Sequence, residues 1–475
     1  MGIPSFFSYV LKNHTKIIKR LSQTKCNELY IDANSIIYDV VHENTSNIYS
    51  DVFSKIMSIV NKLNPEFTYV AFDGVAPLAK MKQQKQRRYK SWLTKQIIPS
   101  DAWNTNAITP GTDFMNGLDA YLASKFKGDS AIKFSGTNEC GEGEHKIMDY
   151  MRNNNKNKNA MIYGLDADLI MLGLLHLNIN PNVYLYRETI HFSYLSQIDS
   201  REDYTFNMNE MAIQISEFLG MPKNDAINNY CLLCFLFGND FMPHFASLNI
   251  RNNGIPYVMD IYKKTKLPLV TGTKINWTNF KLLCIELAKQ ETERIIENVR
   301  WKSCIKTTPL NKMDELNILP LKDMGREIYL SKHIDKYNTL LFGQHDEKPC
   351  LNYLKMLEWT WNYYHGICKD HYMCYEFNVA PLLSSIISYI PCFSEELLVT
   401  KSEPIPLAIS QLIYVLPYDD FHLVPINTDM IVTKFPNLKE TDFNINYDFC
   451  KFFWESHVEF NYLPFRELNN YCLHS

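Results

Sequence analysis

The sequence predicts an α/β fold built on a parallel sheet with helices on both faces. Two short apolar segments, 29–33 and 68–72, have strand-forming residues and end in acid, at Asp32 and Asp73. Between them, residues 51–63 place Val and Ile at helical spacing. This strand, helix, strand order is typical of a parallel sheet, and the functional crevice of such a sheet lies at the carboxyl ends of its strands.

Composition sets the broad class of the protein. The chain has 475 residues, of which 46% are hydrophobic and 21% charged, with a net charge of −4. This is a globular composition without a general basic field, so nucleic-acid binding would require a local basic patch. The 12 cysteines show no disulfide-like spacing, and no signal peptide or long apolar run is present. We therefore expect an intracellular protein without a membrane segment.

The first predicted strand is followed by Asn34 and Ser35, which we expect to cap the next helix. Because no G-x-G-x-x-G follows this strand, the sequence gives no support for a dinucleotide site.

A basic segment, 79–95, follows the second strand and predicts a helix without Gly or Pro. Lys80, Gln84, Arg87 and Arg88 stand at i, i+4, i+7 and i+8, on one face of that helix. Such a face holds phosphate through charge and forked hydrogen bonds. A solvated basic surface is the alternative.

The segment 162–174 predicts a buried strand that ends in Asp166 and Asp168. Carboxylates at i and i+2 point to the same side of an extended chain, and two anions so close need a cation between them. The alternative is one Asp that caps the following helix and one that is solvated.

Three further acids are candidate metal ligands. Glu142 and Glu144 again stand two residues apart, between glycines that allow a tight turn, although both acids also suit a helix N-terminus. Asp240 follows a long apolar helix that ends at Gly238. With the strand-end aspartates, these acids form a set of oxygen ligands: Asp32, Asp73, Glu142, Glu144, Asp166, Asp168 and Asp240.

Hard oxygen ligands at this density suit Mg²⁺ or Mn²⁺ rather than zinc. Two such ions would activate water and stabilise the leaving oxygen in phosphodiester hydrolysis. A basic helix beside the acids would hold the substrate phosphates. The residues themselves thus favour a metal-dependent nuclease.

Six motifs make this hypothesis more specific. They are MGIPSFF, FDGVAPLAKMKQQKQRR, ITPGTDFM, GEGEHKIM, YGLDADLIMLGL and FGNDFMP, and the later LNYLKMLEWTWNYYHG and PLAISQLIYVLP agree with them. Together they resemble the Xrn family of 5′→3′ exoribonucleases over nearly the whole chain, most weakly over 255–345. The resemblance implies a PIN/FEN-like nuclease core and a largely helical second conserved region.

The resemblance also implies residue roles. The seven acids would form the metal site, and Lys80, Gln84, Arg87 and Arg88 would bind the 5′-monophosphate of RNA. Tyr38 stands where the family usually has a stacking aromatic ring or His. Trp359 would be the second stacking residue, although its spacing to Gly366 is one residue short, so that Trp361 is the alternative.

We expect three regions: a catalytic domain over 1–255, a variable linker region over 256–345 and a helical region over 346–475 that completes the active-site pocket. The expected activity is processive 5′→3′ hydrolysis of RNA, by a monomer located in the cytoplasm rather than the nucleus. The rival hypotheses are a flap-type DNA nuclease, which shares the acidic site, and a non-catalytic RNA-binding protein on the same fold.

Overall fold

The fold was analysed in a computed structural model of the chain. It describes residues 2–43, 47–100, 102–154, 157–164, 166–188, 199, 201–305, 307–318, 325–343, 346–393, 396–401 and 403–474. Parts of the predicted strand-end segment (Leu165) and of the region 256–345 (306, 319–324 and 344–345) lie outside the described residues.

Strands within the described ranges form one large sheet and two small hairpins. The strands are β1 (Ile18–Arg20), β2 (Glu28–Asp32), β3 (Phe67–Ala71), β4 (Ile132–Ser135), β5 (Ala160–Tyr163), β6 (Val183–Arg187), β7 (Tyr204–Asn207), β8 (Val270–Thr271), β9 (Lys274–Ile275), β10 (Asn444–Asn446) and β11 (His457–Glu459). The large sheet has the order β1-β7-β6-β5-β2-β3-β4. Strands β6, β5, β2, β3 and β4 run parallel. At the β6 edge, β7 pairs antiparallel with β6, and β1 pairs antiparallel with β7.

Helices account for most of the remaining described chain. They are α1 (Phe6–Asn13), α2 (Asn34–His42), α3 (Ile48–Leu63), α4 (Leu78–Ile97), α5 (Asp113–Phe126), α6 (Gly143–Asn154), α7 (Asp168–Leu175), α8 (Met208–Leu219), α9 (Lys223–Phe235), α10 (Gly254–Thr265), α11 (Trp277–Ala288), α12 (Glu291–Cys304), α13 (Lys312–Asn317), α14 (Gly325–Lys332), α15 (Tyr337–Phe342), α16 (Glu347–Tyr364), α17 (Leu383–Ile386), α18 (Ala408–Val415), α19 (Asp429–Lys434) and α20 (Phe465–His474).

Both faces of the large sheet are buried, which confirms the predicted α/β class. Successive residues of a strand point to opposite faces. Leu29 and Ile31 of β2 accordingly join a cluster with α2, α3 and α5, whereas Tyr30 joins a larger cluster on the other face. A parallel sheet needs this cover on each face.

The helical region 346–475 is part of the same body. Helix α16 lies in the larger core cluster together with α7 and α9, so its packing is continuous with that of the sheet. The described residues of 256–345 are largely helical, in α10–α15. The domain boundaries at 255 and 345 remain predictions. Among the described residues, no helix combines the length and apolar character needed to span a membrane.

Two local predictions were wrong. Asn34 and Ser35 do not cap α2, because the N-cap is Ala33 and no side chain caps this helix. The side chain of Asn34 instead forms two hydrogen bonds with Asp73, which follows the neighbouring strand β3. Residues 380–391 and 404–417 are apolar segments bounded by prolines, and their sequence predicts helices over these full ranges. The α-helices observed there, α17 and α18, are shorter.

Candidate functional site

Parallel strand pairing brings the aspartates to one edge of the sheet. Asp32 ends β2, Asp73 lies two residues after β3, and Asp166 follows β5. Because β5, β2 and β3 are parallel neighbours, their carboxyl ends meet at this edge. Asp168 opens α7, whose N-cap is Ala167 with no side-chain cap, so neither Asp166 nor Asp168 acts as the cap.

The remaining acids reach the same edge from helices. Glu142 and Glu144 lie at the start of α6 and are buried. They do more than complement the helix N-terminus, because Glu142 Oε2 lies 2.5 Å from Lys80 Nζ. Asp240, after α9, lies 2.8 Å from the same ammonium. We call the seven acids together the acidic edge: Asp32, Asp73, Glu142, Glu144, Asp166, Asp168 and Asp240.

The acidic edge concentrates negative charge in a buried place. Burial raises the pKa of Asp32 well above its usual range, and the charges of Asp73 and Asp166 raise it further. Burial likewise raises the pKa of Glu144 and of Asp168, with Asp240 adding to the effect at Asp168. These directions show carboxylates that repel each other and whose repulsion nearby cations offset only in part.

Lys80 is the cation that offsets this repulsion. Burial acts against its charged form, yet Asp240 and Glu142 raise the pKa of Lys80 well above its usual range. In the opposite direction, Lys80 lowers the pKa of Asp240 to about 2 although burial acts to raise it. Lys80 is a single positive charge beside seven carboxyl groups, so it offsets their repulsion only in part.

The donor set fits a divalent cation. Glu142, Glu144 and His145 each offer a ligand atom, all within 4.8 Å of one another. Among the described residues Oδ1 of Asp168 is buried without a hydrogen-bond partner. Burial of a carboxylate oxygen without a hydrogen bond costs free energy, and a cation bound at this oxygen would offset that cost. The chemistry of the edge is therefore compatible with divalent metal, held mainly by oxygen ligands.

Several residues that the sequence reasoning missed hold the acidic edge in place. Asp73 accepts hydrogen bonds from Asn34 Nδ2 at 2.7 Å and from the Gly143 amide at 2.7 Å. Tyr363 donates its hydroxyl proton to Glu142 Oε1 at 2.8 Å. The signal for Asn34 was its spacing, two residues after Asp32. Tyr363 stands 221 residues from Glu142, and no sequence spacing could indicate it.

Glycines allow the backbone to approach the carboxylates closely. A Cβ atom on Gly143 would lie 2.8 Å from Asp32 Oδ1, and one on Gly2 would lie 1.3 Å from Asp168 Oδ1. The Gly2 amide donates to Asp240 Oδ1 at 3.1 Å. The start of the chain thus contributes to the acidic edge, and a larger side chain at residue 2 would displace Asp168.

The four residues predicted to bind phosphate lie along α4 but have different surroundings. Lys80 pairs with the acidic edge, whereas Gln84 and Arg88 are buried further along the helix and Arg87 is exposed. Gln84 accepts a hydrogen bond from Gln411 Nε2 at 3.3 Å. We call the surroundings of Gln84, Arg87 and Arg88 the cationic pocket.

Arg88 is a buried cation without an anion. Its Nη1 donates to Asn106 Oδ1 at 3.0 Å, and its Nη2 donates to the Ile108 carbonyl at 3.4 Å. No carboxylate of the described chain lies within ion-pair distance, and Nε has no hydrogen-bond partner there. Burial, together with the neighbouring Arg87, lowers the pKa of Arg88 to about 10. Such a guanidinium is suited to receive an anion.

The aromatic residues predicted to stack on bases are placed differently from one another. Tyr38, in α2, is half-buried and lies close enough to Arg88 to raise the pKa of the guanidinium. Trp359 is fully buried, donates Nε1–H to the Asp370 carbonyl and stacks on Tyr363 with 4.7 Å between ring centroids. Trp361 is also buried and donates to the Thr273 carbonyl. Neither indole has an open face in this structure, and the stacking roles remain predictions.

Comparison with known proteins identifies relatives over most of the chain. Residues 1–189 match the family model described as XRN 5′-3′ exonuclease N-terminus, and residues 222–317 match the Xrn1 helical domain. The 5′-3′ exoribonuclease 1 of Schizosaccharomyces pombe is 31% identical over an alignment of 352 residues, and the match covers 62% of this chain and 26% of the relative. The 5′-3′ exoribonuclease 2 of Kluyveromyces lactis is 27% identical over 436 residues, covering 68% of this chain and 44% of the relative.

The chain thus spans less than half the length of these curated relatives. Among solved structures, the catalytic core of Rad2 in complex with DNA substrate is 14% identical, with a TM-score of 0.33, and covers 75% of this chain and 93% of that chain.

Proposed function

The chain belongs to the Xrn family, and from this premise we propose that it is a metal-dependent 5′→3′ exoribonuclease. Its substrate is RNA with a 5′-monophosphate, which it degrades processively to nucleoside 5′-monophosphates. The activity named for its relatives supports the reaction class. The observation that carries the choice of RNA end is the buried Arg88, which has no carboxylate partner and no hydrogen bond at Nε among the described residues.

The acidic edge is the proposed reaction centre, with Mg²⁺ or Mn²⁺, in two sites, as the cofactor. Bound ions of this kind activate water and stabilise the leaving oxygen of a phosphodiester. The residues of the chain supply the rest. Asn34 and the Gly143 amide fix Asp73, Tyr363 fixes Glu142, and Lys80 reduces the repulsion among the acids.

Helix α4 links the reaction centre to the cationic pocket. Lys80 and Arg88 are eight residues apart, which is ~12 Å along a helix. A rigid element between the two places the 5′-phosphate at a constant distance from the scissile bond. Each cleavage creates a new 5′-monophosphate that fits the same pocket, so polarity and processivity follow from one arrangement.

The proposal is tested with a 3′-labelled RNA that carries a 5′-monophosphate, beside its 5′-hydroxyl twin, in MgCl₂ and in EDTA. We expect the monophosphate RNA to disappear with few intermediates, the hydroxyl twin to be cut slowly, and EDTA to stop both reactions. Internal cleavage of both RNAs at equal rates would contradict the proposal and favour the flap-type hypothesis. Binding without cleavage would favour the non-catalytic one.

A matched pair of variants assigns the activity to the acidic edge. Asp168→Asn removes one anionic ligand with little change in shape and should lower kcat by at least about 10³-fold, while RNA binding is retained. Glu217→Gln makes the same chemical change at an exposed position of α8 and should leave the rate unchanged. Equal activity of the two variants would reject the acidic edge as the reaction centre.

A further inference from the structure

A chain of polar side chains lies directly behind Arg88. Asn106 Oδ1 accepts the hydrogen bond from Arg88 Nη1, and Asn106 Nδ2 donates to Asp420 Oδ2 at 2.6 Å. The other oxygen of Asp420 accepts from Asn104 Nδ2, also at 2.6 Å. Asp420 belongs to a short 3₁₀ helix, Tyr418–Leu423, more than 300 residues away in sequence. We call Asp420, Asn104 and Asn106 the carboxamide relay.

The carboxamide relay fixes the orientation of the Asn106 side chain. An amide has a donor end and an acceptor end, and here the acceptor meets a cation while the donor meets an anion. Both hydrogen bonds involve a charged partner, which makes them stronger than bonds between neutral groups. Asn106 is itself buried. If its amide were reversed, its NH₂ group would point at the Arg88 cation and its oxygen at the Asp420 carboxylate, and both hydrogen bonds would be lost.

The amide also separates two opposite charges. Asp420 is close enough to Arg88 to favour the charged guanidinium, but it does not pair with it directly. A direct ion pair would satisfy the guanidinium and leave less of its charge for a ligand. With the neutral amide between them, Arg88 is oriented by a carboxylate without being neutralised, and its buried Nε forms no hydrogen bond with the described residues.

We propose that Asp420 is a positioning residue that, through Asn106, aims Arg88 at the 5′-phosphate of the RNA. This inference rests on the proposed function of the cationic pocket. It assigns to the helical region 346–475 a part in the choice of RNA end, since the anion that orients the pocket comes from that region.

The test compares kcat/KM for 5′-monophosphate and 5′-hydroxyl RNA in Asp420→Asn, Arg88→Ala and the double variant. Asp420→Asn keeps the shape and removes the charge, so we expect the monophosphate preference to fall about tenfold through KM, with the rate on hydroxyl RNA changed less than about twofold. Asp419→Asn is the control, because Asp419 is exposed and accepts a bond from Trp92 instead.

The double variant separates positioning from a merely structural role. If Asp420 acts through Arg88, then Asp420→Asn has no further effect on the preference once Arg88 is Ala. Asn106→Asp gives a second, independent result, because a carboxylate against Arg88 should remove most of the preference. The Asn106→Asp variant also tests the proposal if Asp420→Asn fails to fold.

Two results would overturn the inference, and they are distinguishable. If Asp420→Asn slows both RNAs equally, or lowers the preference as much in the Arg88→Ala background, the relay does not position Arg88 and the pocket stands. If the wild-type protein shows no preference for monophosphate, or Arg88→Ala leaves it unchanged, the pocket itself fails and the inference fails with it.

Discussion

The two sides of helix α4 carry similar basic residues and differ in what those residues meet. On the front, Lys80 pairs with carboxylates, whereas Arg88 donates its hydrogen bonds within the described chain to neutral groups. On the back, Lys82 donates to the Tyr375 carbonyl at 2.5 Å, and Lys90 donates to two carbonyls, those of Trp454 and Ser456.

Two further side chains complete the back of α4. Gln86 forms a pair of 2.7 Å hydrogen bonds with the backbone of Val458 in β11. The ammonium of Lys85 lies over the rings of Tyr89, Tyr414 and Phe460, 4.5 Å from the centroid of Phe460. The back therefore holds the C-terminal part of the chain, while the front faces the acidic edge and the cationic pocket.

The comparison teaches that the role of a cation depends on its partner. A lysine that donates to backbone carbonyls stabilises the packing of two segments. An arginine that keeps a donor without a hydrogen bond is suited to bind an anion. Changes on the front should therefore alter metal dependence and the choice of RNA end, and changes on the back should alter stability alone. Four variants test this division, beginning with the one that should have the largest effect.

Lys80→Met should have the largest effect, and that effect should depend on metal. Loss of the ammonium removes the shared ion-pair partner of two buried carboxylates, Glu142 and Asp240, which costs about 3–5 kcal/mol of unfolding free energy. Saturating MgCl₂ should restore most of this loss, because the cation replaces the missing positive charge. Denaturant unfolding in EDTA and in MgCl₂ measures both values, with the exposed Lys127→Met as control. An equal loss in the two conditions would contradict the prediction.

Arg88→Lys should change the choice of RNA end without a large change in fold. A lysine keeps the charge but cannot reproduce the forked donors, so the preference for monophosphate over hydroxyl RNA should fall by about 10- to 100-fold. The ratio of kcat/KM values for the two RNAs measures it, and Arg300→Lys, at an exposed position of α12, is the control. A preference equal to that of the wild type would remove Arg88 from the pocket.

Gln86→Ala should show the opposite result. It deletes both bonds to Val458 and leaves a buried backbone amide without a partner, at a cost of about 2 kcal/mol of unfolding free energy. The preference for monophosphate RNA should remain that of the wild type. Chemical denaturation and the same kinetic ratio measure the two quantities, with the exposed Gln23→Ala as control. A lost preference at unchanged stability would mean that the two sides are not separate.

Lys85→Met should leave the choice of RNA end unchanged, and its effect on the unfolding free energy should depend on pH. Burial lowers the pKa of Lys85 from its ordinary 10.5 to about 8. Between these values the unfolded chain binds more protons than the folded one, so the wild type gains stability as pH rises, by about 1.4 kcal/mol per pH unit from this residue. Any stability advantage of Lys85→Met at pH 7 should shrink through that window. A stability advantage of Lys85→Met that does not change with pH would contradict this prediction. The exposed Lys16→Met variant is the control.

The sequence predicted the large sheet and the acidic edge well. Asp32, Asp73 and Asp166 each follow a short apolar strand, and parallel pairing brings such strand ends together whatever the details of packing. The one-face spacing on α4 was also sound, because helix periodicity is local. These features depend on residues close in the chain.

Partners distant in the chain explain where local reasoning falls short. The prediction that Asn34 caps α2 is wrong because Asp73, just after the neighbouring strand β3, binds its amide instead. The stacking role of Trp359 stays a prediction, and in the structure Tyr363 and Phe241 pack against its ring in the core. Sequence spacing does not indicate such partners, because a polar or aromatic side chain can contact several different groups.

The sequence by itself determined the class of fold, the acids that meet at the sheet edge and the periodicity of the basic helix, since each follows from backbone geometry and local pattern. Only the tertiary structure decided which cations are neutralised and which are left for a ligand. Lys80, Arg88 and Lys90 are alike as charges, but their partners come from segments up to 366 residues away. The residue type sets the charge, whereas the fold determines which group lies next to that charge.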